Sequence, residues 1–403
     1  MSEFGKNDKQ LIRDKSFLSE ILDAKPHIIA RLQEESFSDI RDVDIMAICA
    51  LRGYLSLEAV VCLAADLKIP DRDLASAPMR LTSSGYLEMR GNPSTPGRKT
   101  IKPTLKGQAV ARIIMETMQI QRWAGVRYRR GDIVICSIPK SGTTWMQMIC
   151  ALLIFQTPEL PAPLQELSLW LDPDGAGGED VLTRLEAQQH RRFMKTHLRL
   201  SELPLDPQVN YVVVARHPLA AALSFYHHLK NTQEGSLPPG VKFPSLDEAI
   251  RFWLDPELGL EGLPGDFLMT IPEHFLITYA MTHLRDSWAR RDEPNVILIH
   301  YDDLLTDLAG QMRALAARTG ITVPETTWPR LVQAATFQEM RAKADRIQPS
   351  MRDPKGFFRS GTSGGRQHIS DSQIARYREL AAQLAPPDLL AWVNREDDFS
   401  EPA

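Results

Sequence analysis

The chain has 403 residues, 43% of them hydrophobic and 24% charged, with a formal net charge of −4. A length of this order suits two domains, or one large domain with an appendage, and the composition is that of an ordinary globular protein. The slight negative charge excludes a polyanion binder that works through its whole surface, while leaving local basic patches open.

The N-terminal stretch MSEFGKNDKQLIRDK is polar and of mixed charge, with no signal-peptide apolar region. No apolar run reaches the ~20 residues that span a bilayer. The four cysteines, Cys49, Cys62, Cys136 and Cys150, sit in apolar runs and form neither a CxxC pair nor a His-spaced metal set. They read as buried free thiols of a reducing compartment. A cytoplasmic protein without membrane contact and without a metal is expected.

Residues 1–40 read as a charged helical arm. Within 41–122, DVDIMAICALRGY and SLEAVVCLAADL read as short apolar helices, with Ser56 placed to cap the second, and DRDLASAPMRLTSSG as a third. YLEMR and KTIKP read as strands joined by the Gly/Pro-rich tip GNPSTPGR, and TLKGQAVARIIMETMQIQ as a closing helix capped by Thr104. This order of helices, strand, wing, strand and helix resembles a winged-helix domain. The resemblance rests on pattern, and the segment PDRDLASAP offers aspartates where base and phosphate contacts want Arg, Lys, Asn or Gln. Arg98, Lys99 and Lys102 make the wing only mildly basic. A packing or partner-binding role, such as setting a homodimer, is expected over nucleic-acid reading.

From Tyr128 the texture changes to strand, loop, helix. DIVICSI, NYVVVAR and NVILIHY are strong apolar strands, each followed by a helical pattern, as in the parallel sheet of an α/β domain. After the first strand comes PKSGTTW, Pro139 to Trp145, and then a helix apolar on most faces. A strand that ends in a loop opening a helix presents unpaired N–H groups to an anion. Gly142 permits close approach, Ser141, Thr143 and Thr144 add hydroxyls, and Lys140 adds a charge. The triphosphatase pattern GxxxxGK[ST] is not met, because Lys140 precedes Gly142 and the upstream glycine is missing. A magnesium-dependent kinase is therefore the weaker alternative.

The stretch resembles the 5′-phosphosulfate loop of the cytosolic-type sulfotransferases, whose pattern is PKSGTTW. Further segments resemble the same family in the same order. MKTHLRL is similar to its KTHLP segment and puts His197 at the position of the catalytic base. Arg216 and, eight residues on, Ser224 match its 3′-phosphate site, and Tyr301 in HYDDL matches a contact on the adenine side. AATFQEMR resembles TSFxxMK, with Phe337 placed to stack on adenine and Ala335 standing where threonine is usual. GFFRSGTSGGRQ resembles the C-terminal FFRKGxxGDW loop: Arg359 and Gly361 match, Ser360 replaces lysine and Arg366 stands at the tryptophan.

The resemblance implies a P-loop-like three-layer α/β fold with a central parallel sheet over 126–403, beside the small N-terminal domain. It implies 3′-phosphoadenosine 5′-phosphosulfate (PAPS) as donor, bound by Lys140, Ser141, Gly142, Thr143, Thr144, Trp145, Arg216, Ser224, Tyr301, Phe337, Arg359, Ser360 and Gly361. His197 would act as general base, Lys140 would stabilise the leaving group, and Ser224 would restrain Lys140. An imidazole of ordinary pKa near ~6.5 suits base catalysis at neutral pH. The stretches 157–180 and 231–245, with Trp170 and Phe243, are expected to line the pocket of a partly apolar small-molecule acceptor carrying a hydroxyl or amine. The alternative of a DNA-binding module with a nucleotide sensor fits less well, since a sensor needs no base.

Overall fold

The computed structural model describes residues 24–34, 55–56, 77–91, 99–172, 181–233, 243–255, 276–347, 353–358 and 365–395. Two compact units divide them: the first holds the described residues up to Gly125 together with Val181, and the second holds the rest from Val126 on.

In the first unit, helix α1 (24–34) buries Ile28 and Leu32 one turn apart, and Arg31 pairs with Glu116 at 2.6 Å. Strands β1 (Leu55–Ser56), β2 (Leu87–Gly91) and β3 (Lys99–Pro103) form an antiparallel sheet in the order β1-β3-β2. Helix α2 spans Ala77–Ser83. Helix α3 (Leu105–Ala124) starts where Thr104 accepts from the Gly107 N–H, the cap its hydroxyl foretells. The two apolar helices read from the sequence before residue 70 lie outside the described residues, apart from Ser56, expected as the cap of the second, which instead ends β1 opposite Thr100.

The second unit is built on a four-stranded parallel sheet, β4 (Ile133–Cys136), β5 (Phe193–Thr196), β6 (Asn210–Ala215) and β7 (Val296–His300), in the order β5-β4-β6-β7. Strand β4 is buried at every position, which is why its apolar run does not alternate: both faces of such a sheet are covered. One face packs against α4 (Thr143–Phe155) and a cluster that includes Ile149, Leu153, Ile299, Trp328 and Leu331. The other packs against Leu219 and Leu223 of α5 (Pro218–Gln233), Met281 and Leu284 of α6 (Ile277–Ala289), and Ile374. These layers are the α/β architecture expected. At the N-terminal edge of the sheet, the buried guanidinium of Arg192 is paired with the carboxylate of Asp132, with Nε donating at 3.0 Å.

Candidate active site

All four strands deliver a polar residue at their carboxyl ends. Ser137 follows β4, His197 follows β5, Arg216 follows β6 and Tyr301 follows β7. Ligands of open parallel sheets bind at that edge, so register alone gathers these groups.

Between β4 and α4 the chain makes two left-handed turns, at Lys140 (φ 67°) and Gly142 (φ 108°). Gly142 is the N-cap of α4 and offers no side chain to its first N–H groups. A Cβ on Gly142 would come within 2.9 Å of Tyr301 Cδ2, so glycine is required both for its φ and for the ring packed against it. Ser141 is fully buried and, among the described residues, its Oγ has no hydrogen-bond partner. The hydroxyls of Ser137 and Thr143 lie 2.6 Å apart, and Thr144 is buried.

Cations surround this loop. Arg216 donates to the Lys140 carbonyl at 3.3 Å and lies over the Tyr301 ring, 4.4 Å from its centroid. Burial, reinforced by the charges of Arg216 and Lys195, lowers the pKa of Lys140 to about 7. Lys195 is lowered to about 8 by burial, against the opposing pull of Asp172. An orphaned buried hydroxyl, an uncapped helix start and two ammonium groups below their ordinary range fit a bound phosphate or sulfate, which would satisfy all three.

His197 is held at three points. Its N–H donates to Asp172 at 2.6 Å, its carbonyl accepts from Tyr279 at 2.8 Å, and its Nδ1 lies 2.7 Å from the Ser137 carbonyl. A carbonyl can only accept, so Nδ1 carries the proton and the neutral ring has its lone pair on Nε2. The ring meets Trp170 edge-on at 5.4 Å, and Trp170 is 42% exposed. His228 on α5 faces the same cations: burial first, then Lys140, Lys195 and His197, lower its pKa to about 3.

Other expected residues stand further out. Trp145 packs edge-on to Tyr301 at 5.4 Å and donates its indole N–H to the Ala335 carbonyl at 2.7 Å, a bond that does not depend on the side chain at 335. Phe337 is partly buried and meets Phe358 at 6.3 Å. Ser224 is partly buried on α5, and Phe243 packs edge-on to Tyr226 at 5.7 Å. Arg359, Ser360 and Gly361 lie outside the described residues; Arg366 opens a short 3-10 turn. Three groups that sequence reasoning did not single out join the site: Asp172, Lys195 and Phe357, over whose ring the Lys140 ammonium sits at 3.7 Å. Lys195 and Phe357 each had a local signal, since one opens the Lys-Thr-His triplet and the other lies in GFFRSG; Asp172 had none.

The family model described as "Sulfotransferase domain" matches residues 130–385. Glycolipid sulfotransferases of Mycobacterium bovis and Mycobacterium tuberculosis are each 36% identical to this chain, covering 70% of it and 93% of their own length. Among solved structures, retinol dehydratase in complex with androsterone and inactive cofactor PAP aligns with a TM-score of 0.50 at 21% identity, over 70% of this chain and 88% of that one. At that identity the likeness is one of fold. The family model spans more than half the chain and the mycobacterial relatives are matched almost from end to end, so the chain belongs to the sulfotransferase family of enzymes.

Proposed function

We propose that the protein transfers a sulfuryl group from PAPS to a hydroxyl, or an amine, of a partly apolar small molecule, with His197 as general base. The observation that carries this reading is the bond between His197 Nδ1 and the Ser137 carbonyl. It ties the base to the first residue of the anion loop and leaves Nε2 as the basic atom. When bound, PAPS supplies the sulfuryl group and departs as 3′-phosphoadenosine 5′-phosphate (PAP). Ser141, the start of α4 and Lys140 hold the 5′ end, with Gly142, Thr143, Thr144 and Trp145 shaping the loop. Arg216 and Ser224 take the 3′-phosphate, assisted by Arg359, Ser360 and Gly361. Tyr301 and Phe337 flank the adenine.

His197 Nε2 removes the acceptor's proton, while Lys140 and Lys195 stabilise negative charge on the donor side. Ser224 restrains Lys140 until the acceptor binds. Trp170 beside the base suits an acceptor with an apolar body, and the glycolipids named for the mycobacterial relatives are one such class. The first unit acts as a winged-helix-like module that sets dimerisation or recruits a partner. Light scattering that returns a monomer would argue against the dimer.

Calorimetric titration with PAP, against ATP with magnesium, tests the reading. Metal-independent binding of PAP that is lost in Arg216→Ala is expected, followed by transfer to a panel of alcohols, phenols and glycolipids that falls to a slow residual rate in His197→Ala. Binding of ATP with magnesium in place of PAP would restore the kinase alternative.

A further inference from the structure

The carboxylate of Asp172 is buried, in the Gly/Pro-rich stretch 157–180 that the sequence assigns only to the lining of the acceptor pocket. It accepts from Trp170 Nε1 at 3.0 Å, Thr196 Oγ1 at 2.8 Å and the His197 N–H at 2.6 Å. Oδ1 takes Thr196 and Oδ2 takes the other two, so both oxygens are committed. The donors come from two segments that touch side by side: Leu169 accepts from the Lys195 N–H at 3.0 Å, and Trp170 forms a parallel bridge with Lys195. The Lys195 ammonium lies 4.3 Å from the centroid of the Trp170 ring, and that ring meets His197 edge-on at 5.4 Å. One side chain therefore fixes the imidazole's main chain, the indole beside it and the strand end that carries both Lys195 and His197.

A carboxylate is a costly way to satisfy neutral donors, because removing its charge from water costs more than such hydrogen bonds return. An asparagine would fit the space, but it keeps one accepting oxygen for Trp170 and His197 and turns an N–H group toward Thr196 Oγ1, which already accepts from the Leu198 N–H at 3.0 Å. The carboxylate alone accepts at both oxygens and also faces the Lys195 charge. Fixing a base within a fraction of an ångström is the task such a supporting group performs, and a misplacement of ~1 Å costs on the order of 100-fold in rate.

We propose that Asp172 is a positioning residue for sulfuryl transfer, holding His197, Trp170 and Lys195 in one frame so that Nε2 meets the acceptor hydroxyl. The inference rests on His197 being the base.

The test uses full-length Asp172→Asn, His197→Ala and their double variant, with kcat, the acceptor KM and the PAP Kd measured separately, and hydrogen exchange followed over 193–199. In Asp172→Asn we expect kcat to fall about 10- to 100-fold, PAP affinity to stay within about twofold, and exchange at His197 to quicken. In the His197→Ala background the second substitution is expected to cost nothing more, because the frame then has no base to aim. A kcat within about twofold of the parent, or losses that multiply in the double variant, overturns the proposal while the base assignment stands. Full turnover in His197→Ala removes the base assignment instead, and the proposal with it. If Asp172→Asn does not fold, Trp170→Phe removes one donor and keeps the carboxylate: a several-fold fall in kcat at unchanged PAP affinity is expected, and parental kcat overturns the proposal.

Discussion

The ammonium of Lys140 lies 3.7 Å from the centroid of the Phe357 ring, so among the described residues an aromatic face, not a carboxylate, holds its charge. A cation over a ring is stabilised by about 0.5–2 kcal/mol, while burial, reinforced by the charges of Arg216 and Lys195, lowers the Lys140 pKa to about 7. Such a lysine contributes little to the fold and is available to an incoming anion. Lys140→Met, which keeps the stem and removes the charge, should leave the melting temperature unchanged or higher and lower turnover about 100- to 1,000-fold. Thermal melts beside steady-state rates decide it: a fall in melting temperature with turnover retained would make Lys140 a structural residue.

If the same lysines hold the donor, its binding should depend on pH. In the free protein Lys140 titrates at about 7 and Lys195 at about 8, both lowered chiefly by burial. An anion favours the charged form of each and raises both values, so binding takes up protons wherever the free lysines are neutral. At pH 8, uptake of about one to one and a half protons per PAP is expected, the phosphates being fully ionised above their second pKa of ~6. Affinity should then weaken as pH rises through 7 and 8, by up to about tenfold per unit for each lysine. Calorimetry in buffers of different ionisation enthalpy counts the protons. No uptake at pH 8, or uptake undiminished in Lys140→Met, would separate these ammonium groups from the anion.

How far the sequence foretold this site follows from how local each feature is. PKSGTTW could be read because an anion loop is built from one short stretch, and β4, β6 and β7 because a sheet buried on both faces makes unbroken apolar runs. Arg216 and Tyr301 were named by the family resemblance, and the structure puts them at the ends of β6 and β7. The roles of Asp172 and Phe357 were not legible: Asp172 bonds the His197 N–H from a segment 25 residues away in the chain, and Phe357, though inside a matched motif, meets Lys140 across the fold. Neither contact leaves a period or a spacing. Trp145 matched a motif, but its indole N–H is committed to the Ala335 carbonyl, a prop for the loop that only tertiary contact could reveal.

His217 follows Arg216, and its Nδ1 accepts from the Leu219 N–H at 3.2 Å. Protonating that nitrogen would break the bond, and burial, with the charges of His300, Arg216 and Arg378, lowers the pKa to about 3. His228 is lowered likewise. Between pH 3 and 6.5 the unfolded chain binds more protons than the folded one at these positions. Stability from this source is complete above pH 6.5 and is lost as pH falls, at up to about 1.4 kcal/mol per unit for His217. Urea melts at pH 7 and pH 5 should show a slope that His217→Gln reduces. An unchanged slope would mean that other groups govern acid unfolding.

Gly142 carries two constraints that one substitution can separate. At φ 108° an alanine is strained whatever the space, and its Cβ would meet Tyr301 Cδ2 at 2.9 Å. Gly142→Ala should therefore destabilise by about 1–3 kcal/mol and weaken PAP binding, since the displaced ring also lies beneath Arg216. Tyr301→Leu on its own removes the ring and some packing. In the double variant the clash is gone and the strained φ remains, so its loss should be smaller than the sum of the two single losses by the contact's share alone. Denaturant melts of the three variants measure that share. Simple additivity would mean that backbone conformation, and not the tyrosine, is what demands glycine at the start of α4.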